Sequence, residues 1–173
     1  MEIKTAKEKF IQSWGNFGKT WGINKTMAQL HALLLVSDEP LSTEDAMERL
    51  QISRGNANMN IRALMDWGLV SKVTKMGDRK EYFEAERDVW HIARLIVRER
   101  RKREIEPMLA VIEELKEVSL SEVNREEEQE EKERFSVLLE DIDQFATKAD
   151  SILDKFQRSD ENWFYRSLVK LMK

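Results

Sequence analysis

The stretch Ser53-Arg54-Gly55-Asn56-Ala57-Asn58-Met59-Asn60-Ile61-Arg62-Ala63-Leu64-Met65-Asp66-Trp67-Gly68-Leu69-Val70 leaves little choice of local structure. Ser53 is a helix-capping residue, Gly68 a helix-ending one, and Ala57, Ile61 and Leu64 recur at the spacing of one helical face. The other face carries small amides and cations, among them Arg54, Asn58 and Arg62. Amide and guanidinium groups fit adenine and guanine edges bidentately, whereas an ordinary solvated helix face is built from Glu and Lys. The spacing therefore predicts a short helix able to read base edges.

Its flanks narrow the fold. Asp38-Glu39-Pro40-Leu41 breaks a preceding helix, and Ser42-Thr43-Glu44-Asp45 has the spacing of a capping box with Asp in place of the usual Glu. A short helix through Ala46, Met47 and Leu50 follows, and Gln51-Ile52 forms a tight turn before Ser53. Two short helices joined by a brief turn, the second carrying Asn and Arg outward, make a helix-turn-helix. Downstream, residues 69–75 and 80–85 are rich in β-branched and aromatic side chains and flank Met76-Gly77-Asp78-Arg79. That is a hairpin signal with Gly where positive φ is needed. Taken alone the hairpin could be a solvated turn; directly after the reading helix it makes a winged helix.

Both ends of the chain read as helix. Residues 3–21 place Phe10, Trp14, Phe17 and Trp21 on one aromatic stripe, either core or dimer interface or, in the minority reading, a cage for a quaternary ammonium. Gly15, Gly18 and Gly22 imply close packing against another helix or an early end near Gly18. A second helix runs from Lys25, capped by Asn24, to Ser37; its His31 has no second ligand at helical spacing and reads as packed or surface. From Asp88 a long helix carries Val89, Ile92, Ala93 and Ile96, and Pro107 must kink or interrupt it. Beyond the proline, Ile105, Met108, Ile112 and Leu115 keep helical spacing. In the last third Phe135, Leu138, Ile142, Phe145, Ala149, Ile152 and Phe156 alternate by three and four, with Leu139, Ala146 and Leu153 widening the stripe, which suits a helical bundle. Residues 126–133 are the solvated start of that helix or a linker, with helix preferred. A final short helix carries Trp163, Phe164, Leu168 and Leu171.

The fold class is thus mainly α: a winged helix-turn-helix with a small β-hairpin wing, plus N- and C-terminal helices forming a helical dimerisation region. The divisions expected are 1–22 (N-terminal packing helix), 23–87 (DNA-binding winged helix) and 88–173 (long helix and dimerisation region). A winged helix alone cannot use so much apolar helical surface, so a homodimer is expected.

Composition excludes several function classes. A charged fraction of 36% with only 6 Gly and 2 Pro in 173 residues favours long helices over sheet. No Cys and two isolated His leave no disulfide framework and little metal chemistry, so no metal or other cofactor is expected. No Gly-rich phosphate loop and no catalytic constellation stands out, so an enzyme is not expected. The longest apolar run, Leu33-Leu34-Leu35-Val36, is far short of a membrane span, and residues 1–4 lack the apolar core of an export signal, which points to a cytoplasmic protein without a membrane partner. The net charge of −4 argues against nucleic acid only if it is evenly spread. It is not: Arg49–Lys80 holds seven basic against two acidic residues (+5), Arg94–Arg103 six against one (+5), and Glu122–Glu133 two against seven (−5). The local field near a phosphate backbone outweighs the total. For Arg94–Arg103 three readings stand: contact with flanking phosphates, a solvated face, or pairing with the acidic segment.

The runs Pro40–Ser42, Ile52–Asn56, Leu64–Val70, Gly77–Lys80 and Tyr82–Ala85 together resemble the GbsR/MarR-like winged-helix transcriptional regulators over roughly residues 20–105. The resemblance implies a dimeric DNA-binding regulator, commonly a repressor, whose 53–62 helix enters the major groove and whose Arg79 wing tip reaches a minor groove. One branch of that family responds to choline or glycine betaine, but no residue here identifies a ligand. The tail after residue 119 extends beyond the minimal family pattern.

By helical direction, Ala57, Ile61 and Leu64 face the core. The expected major-groove set is Ser53, Arg54, Gly55, Asn56, Asn58, Met59 and Arg62, with Arg54 and Asn58 touching bases and Ser53 a phosphate. The expected wing and phosphate set is Ser42, Thr43, Lys72, Lys75, Arg79 and Lys80, and Trp14, Trp21 and Trp90 are candidates for a small-molecule effector pocket. The function expected is a dimeric regulator, a repressor open to ligand control, on a near-palindromic site of double-stranded DNA with half-sites roughly 34 Å apart. The rival is a winged-helix protein-interaction module in a coiled-coil assembly, which would show only weak, salt-labile DNA binding.

Overall fold

The computed structural model describes residues 1–119 and 126–159. The expected helix of Trp163, Phe164, Leu168 and Leu171 lies outside the described residues. The chain divides into two compact units, Met1–Ile92 and Ala93–Lys173. The N-terminal helix therefore belongs to the same unit as the winged helix.

In the first unit α1 spans Ile3–Thr20 and α2 spans Lys25–Val36. The Asn24 side chain caps α2, accepting from the N–H groups of Thr26 and Met27 at 2.8 and 3.2 Å. Residues 27, 28 and 30–34 of α2 are all buried, the signature of a helix enclosed on every side. Close approach of α1 depends on its glycines. A Cβ at Gly18 would lie 2.5 Å from that of Ala28, and one at Gly15 would lie 2.4 Å from Cγ of Gln29. Of the two readings of these glycines the close-packing one holds, and α1 continues past Gly18 to Thr20.

β1 (Leu41–Ser42) leads into α3 (Thr43–Leu50), and α4 (Arg54–Asp66) follows the turn at Gln51, which has φ 53°. The capping box is complete: the Ser42 hydroxyl accepts from the Asp45 N–H, and the Asp45 carboxylate accepts from the Ser42 N–H at 2.8 Å. α4 ends in a Schellman motif around Gly68 (φ 77°), with Leu69 N–H donating to Leu64 C=O and Gly68 N–H to Met65 C=O, both at 2.9 Å. Leu64 and Leu69, the apolar pair of that motif, are both buried.

β2 (Val70–Val73) and β3 (Tyr82–Ala85) pair antiparallel, with Val70 opposite Ala85 and Val73 opposite Tyr82. β1 adds a third strand beside β3, with Leu41 opposite Phe83, giving the order β1-β3-β2. Two residues after a proline offer no periodicity, and sequence reasoning misses β1. It matters for function because it fixes the start of α3 to the base of the wing. The core beneath consists of Leu30, Leu34, Ala46, Ala57, Ile61, Leu64 and Phe83.

α5 (Val89–Arg100), whose first N–H groups are capped by the Asp88 carboxylate, runs from the first unit into the second. A π-helical turn, Arg101–Ile105, joins it to α6 (Glu106–Ser119). That turn sits immediately before Pro107, where the missing N–H and the ring preclude a regular α-helical ladder. α7 spans Glu126–Arg158, so residues 126–133 are helical. Lys116 pairs with Asp143 at 2.6 Å and Arg101 pairs with Asp150 at 2.9 Å, so α7 runs antiparallel to the segment before it.

Of the broad apolar stripe of α7, the side that turns inward is the one that holds Leu139, Ala146 and Leu153. Leu139 and Ala146 are buried and Leu153 is half-buried, while Leu138, Phe145 and Ile152 are 53, 74 and 63% exposed. A heptad sets the period of a stripe but not which of two adjacent stripes meets the chain's own helices. Among the described residues no helix is long and apolar enough to cross a membrane.

Candidate nucleic-acid interface

α4 presents the expected reading face. Ser53 caps it, accepting from the Asn56 N–H at 3.3 Å. Arg54, Gly55, Met59 and Arg62 are exposed, Asn56 and Asn58 are half-buried, and Ala57, Ile61 and Leu64 are buried. A Cβ added at Gly55 would meet nothing of the chain within 4 Å, so no packing within the fold requires glycine there.

The polar side chains are not loose. Arg54 Nη2 donates to Glu44 Oε1 of α3 at 2.8 Å. The Asn58 amide oxygen accepts a long bond, 3.5 Å, from the Thr43 hydroxyl. The Asn56 amide oxygen accepts from Asn60 Nδ2 at 2.6 Å, and the same amide group donates to the Asn56 C=O at 2.8 Å. Asn60 is buried and absent from the expected site. Its position between Ala57 and Ile61 on the inner stripe was the available signal, since an amide there must find its partner on its own helix.

The wing departs from expectation in which cations it offers. Lys72 pairs with Glu81 across the hairpin, and Lys75 pairs with Glu39 at 3.3 Å while lying 4.4 Å from the centre of the Tyr82 ring. Among the described residues the side chains of Arg62, Arg79 and Lys80 form no ion pair, and all three are exposed. The tip is set by Asp78, which accepts from Lys80 N–H at 2.9 Å and from the Tyr82 hydroxyl at 2.7 Å, with Gly77 at φ 83°. The Lys80 backbone bond and then the Tyr82 bond hold the Asp78 carboxyl below its ordinary range. Met76, at the tip, is fully exposed.

Two expectations need correction. Ser42 is 3% exposed and its hydroxyl is occupied by Asp45, so capping removes it from the phosphate-facing set. In the Arg94–Arg103 cluster, Arg98, Arg101 and Arg103 pair with carboxylates other than those of the acidic segment 122–133: Arg98 and Arg103 both meet the buried Glu99, at 3.5 and 3.8 Å, and Arg101 meets Asp150 and Asp154. The Asp150 hydrogen bond pushes the Arg101 guanidinium up.

Trp14 stacks on Phe10 at 5.4 Å and lies tilted to the buried His31 at 6.3 Å; Trp21 is 60% exposed and Trp90 half-buried. None of the three lines the first unit's large cavity of about 970 Å³. That cavity is floored by Ile11, Leu33 and Leu41 and edged by Lys7, Arg49 and Lys75.

Comparison with known proteins finds likenesses to one family of regulators. Residues 21–81, which hold α2 to the wing tip, match the model of the MarR family. The matched segment, about a third of the chain, is similar to the MarR-family winged helix. Over 112 residues the chain is 26% identical to the HTH-type transcriptional repressor GbsR of Bacillus subtilis, covering 65% of this chain and 62% of that one. Over 76 residues it is 29% identical to the HTH-type transcriptional regulator MmpR5 of Mycobacterium tuberculosis, covering 43% of this chain and 46% of that one. The matched stretch is thus less than two thirds of either relative. A solved structure described as a transcriptional regulator shares the fold, with a TM-score of 0.60 at 19% identity over 88% of this chain and 95% of the other. Within the segment that matches the MarR model, the exposed face of α4 and the tip of the wing carry Arg62, Arg79 and Lys80, which form no ion pair among the described residues.

Proposed function

We propose that the protein is a DNA-binding transcriptional regulator that works as a homodimer, with residues 53–67 in the major groove and the 76–79 wing in a minor groove. The observation that carries this is the exposed Arg and Asn face of α4 beside an Arg79–Lys80 wing tip, on a winged helix whose residues 21–81 match the MarR model. Arg54 and Asn58 contact bases; Ser53, Arg79 and Lys80 contact the backbone. Repression is favoured over activation by the likeness to GbsR. The reading is of a cytoplasmic binding protein rather than an enzyme.

Dimerisation is supported by apolar surface that the chain leaves uncovered. On α7 this is Leu138, Ile142, Phe145 and Ile152, and on α1 Ile3 and Phe17. The cavity floored by Ile11, Leu33 and Leu41 supports a small-molecule effector site there.

Selection of bound duplexes from a random library at physiological salt tests DNA reading, half-site spacing and dimerism together. Arg54→Ala relaxes preference at one base pair per half-site, whereas Lys80→Ala weakens binding evenly and lowers the salt slope by about one. Equal losses on every sequence after Arg54→Ala remove the base-reading role.

A further inference from the structure

The chain places a carboxylate in the middle of the surface that would face phosphates. Glu44 lies in the first turn of α3, with its side chain 46% exposed, and accepts from Arg54 Nη2 at 2.8 Å. Backbone hydrogen bonding at the start of α3 does most to hold the Glu44 carboxyl below its usual range, followed by Arg54 and then Lys80 of the wing. The group thus stands within the field of both the reading helix and the wing.

Glu44 is not needed for the capping box, which Ser42 and Asp45 complete. On electrostatic grounds alone a negative charge here repels DNA and lowers affinity for every sequence. Its contact with Arg54 supplies a countervailing role. Arginine has a long flexible side chain whose ordering opposes binding, and a planar fork of five donors that recognises a guanine edge only when oriented. Glu44 occupies one donor and leaves the rest of the fork open. As DNA excludes water, the pair strengthens.

We infer that Glu44 is a specificity-determining positioning residue, which orients Arg54 for one base pair of each half-site and gives up general affinity for DNA in doing so. The inference rests on the reading that Arg54 touches a base. Thr43 at the same turn, reaching the Asn58 amide, is a second contact from α3 to the reading face.

The test compares the full-length protein with E44A, E44Q, R54A and the E44A/R54A double variant, selecting from a random duplex library and measuring affinity for mixed-sequence duplex. E44A is expected to bind mixed-sequence duplex about twofold or more tightly while its preference at the Arg54-dependent base pair falls about fivefold or more. E44Q keeps an acceptor oxygen and retains most of that preference. In the R54A background, E44A alters affinity but not preference. Urea unfolding confirms that the variants remain folded.

Intact preference in E44A overturns the inference, as does a loss in E44Q as complete as in E44A. Flattening at a different base pair in E44A also overturns it, because Glu44 would then read a base itself. If R54A flattens no position, the base-reading role of Arg54 fails and the inference with it, a result separable from the others by R54A alone.

Discussion

Gly55 shows how one residue can separate stability from function. It occupies the first turn of a helix, where glycine is disfavoured, yet a Cβ there has open space around it. Gly55→Ala should therefore stabilise the fold by about 0.5–1 kcal/mol in urea unfolding. If close approach to the duplex is the reason for glycine, the same substitution lowers DNA affinity about tenfold or more in a mobility-shift titration. Unchanged affinity would remove that reason. His31 makes a different prediction. Burial against α1 lowers its pKa from 6.5 to about 4, and its Nε2 has no hydrogen-bond partner. Between those values the unfolded chain binds a proton that the folded chain refuses, so the folded state loses stability as pH falls from 6.5 toward 4 and loses no more from this group below 4. From pH 6.5 to 5, urea unfolding should show wild type losing on the order of 2 kcal/mol more than His31→Leu.

At the scale of the element, α7 carries two stripes, one turned inward and one exposed. Leu139 and Ala146 are buried within the chain, and truncating the first, Leu139→Ala, should cost about 2–4 kcal/mol and appear as early unfolding of the second unit in hydrogen exchange. Phe145 is 74% exposed, so Phe145→Glu should leave helix content and the unfolding midpoint near wild type. If the outer stripe joins two copies, that variant sediments as a monomer at concentrations where wild type sediments as a dimer; a persisting dimer would move the interface off this stripe. α4 illustrates the same division. Its inner stripe was legible because Ala57, Ile61 and Leu64 keep helical spacing between a Ser cap and a Gly stop, and these signals act within a few residues. The pairing of Arg54 with Glu44 and of Asn56 with Asn60 was not, because side-chain hydrogen bonds depend on which groups the turn at Gln51 brings within about 3 Å.

For the whole molecule, charge segregation is the relevant electrostatic quantity. A chain of net charge −4 can bind DNA if its cations are concentrated and unpaired, and the folded chain narrows which those are. Summing Arg49–Lys80 alone suggests a wide basic surface. Lys72, Lys75 and Arg54 each have a carboxylate partner in the fold, which leaves Arg62, Arg79 and Lys80 as the unpaired cations among those proposed to meet DNA. The salt slope of DNA binding should then fall by about one for Arg79→Ala or Lys80→Ala and by less for Lys72→Ala, whose release from Glu81 offsets its gain from a phosphate.

By itself the sequence determined the helices with their caps, the wing turn at Gly77, the break before Pro107 and the inner face of α4. Each is governed by steric and hydrogen-bonding preferences that operate over one or two turns. Only the tertiary structure decided that Leu41 and Ser42 pair with β3, that Ser42 is buried, that Arg98, Arg101 and Arg103 pair with Glu99, Asp150 and Asp154, and which stripe of α7 turns inward. Those outcomes depend on contacts between groups far apart along the chain, where the choice among partners is set by geometry that no local spacing encodes.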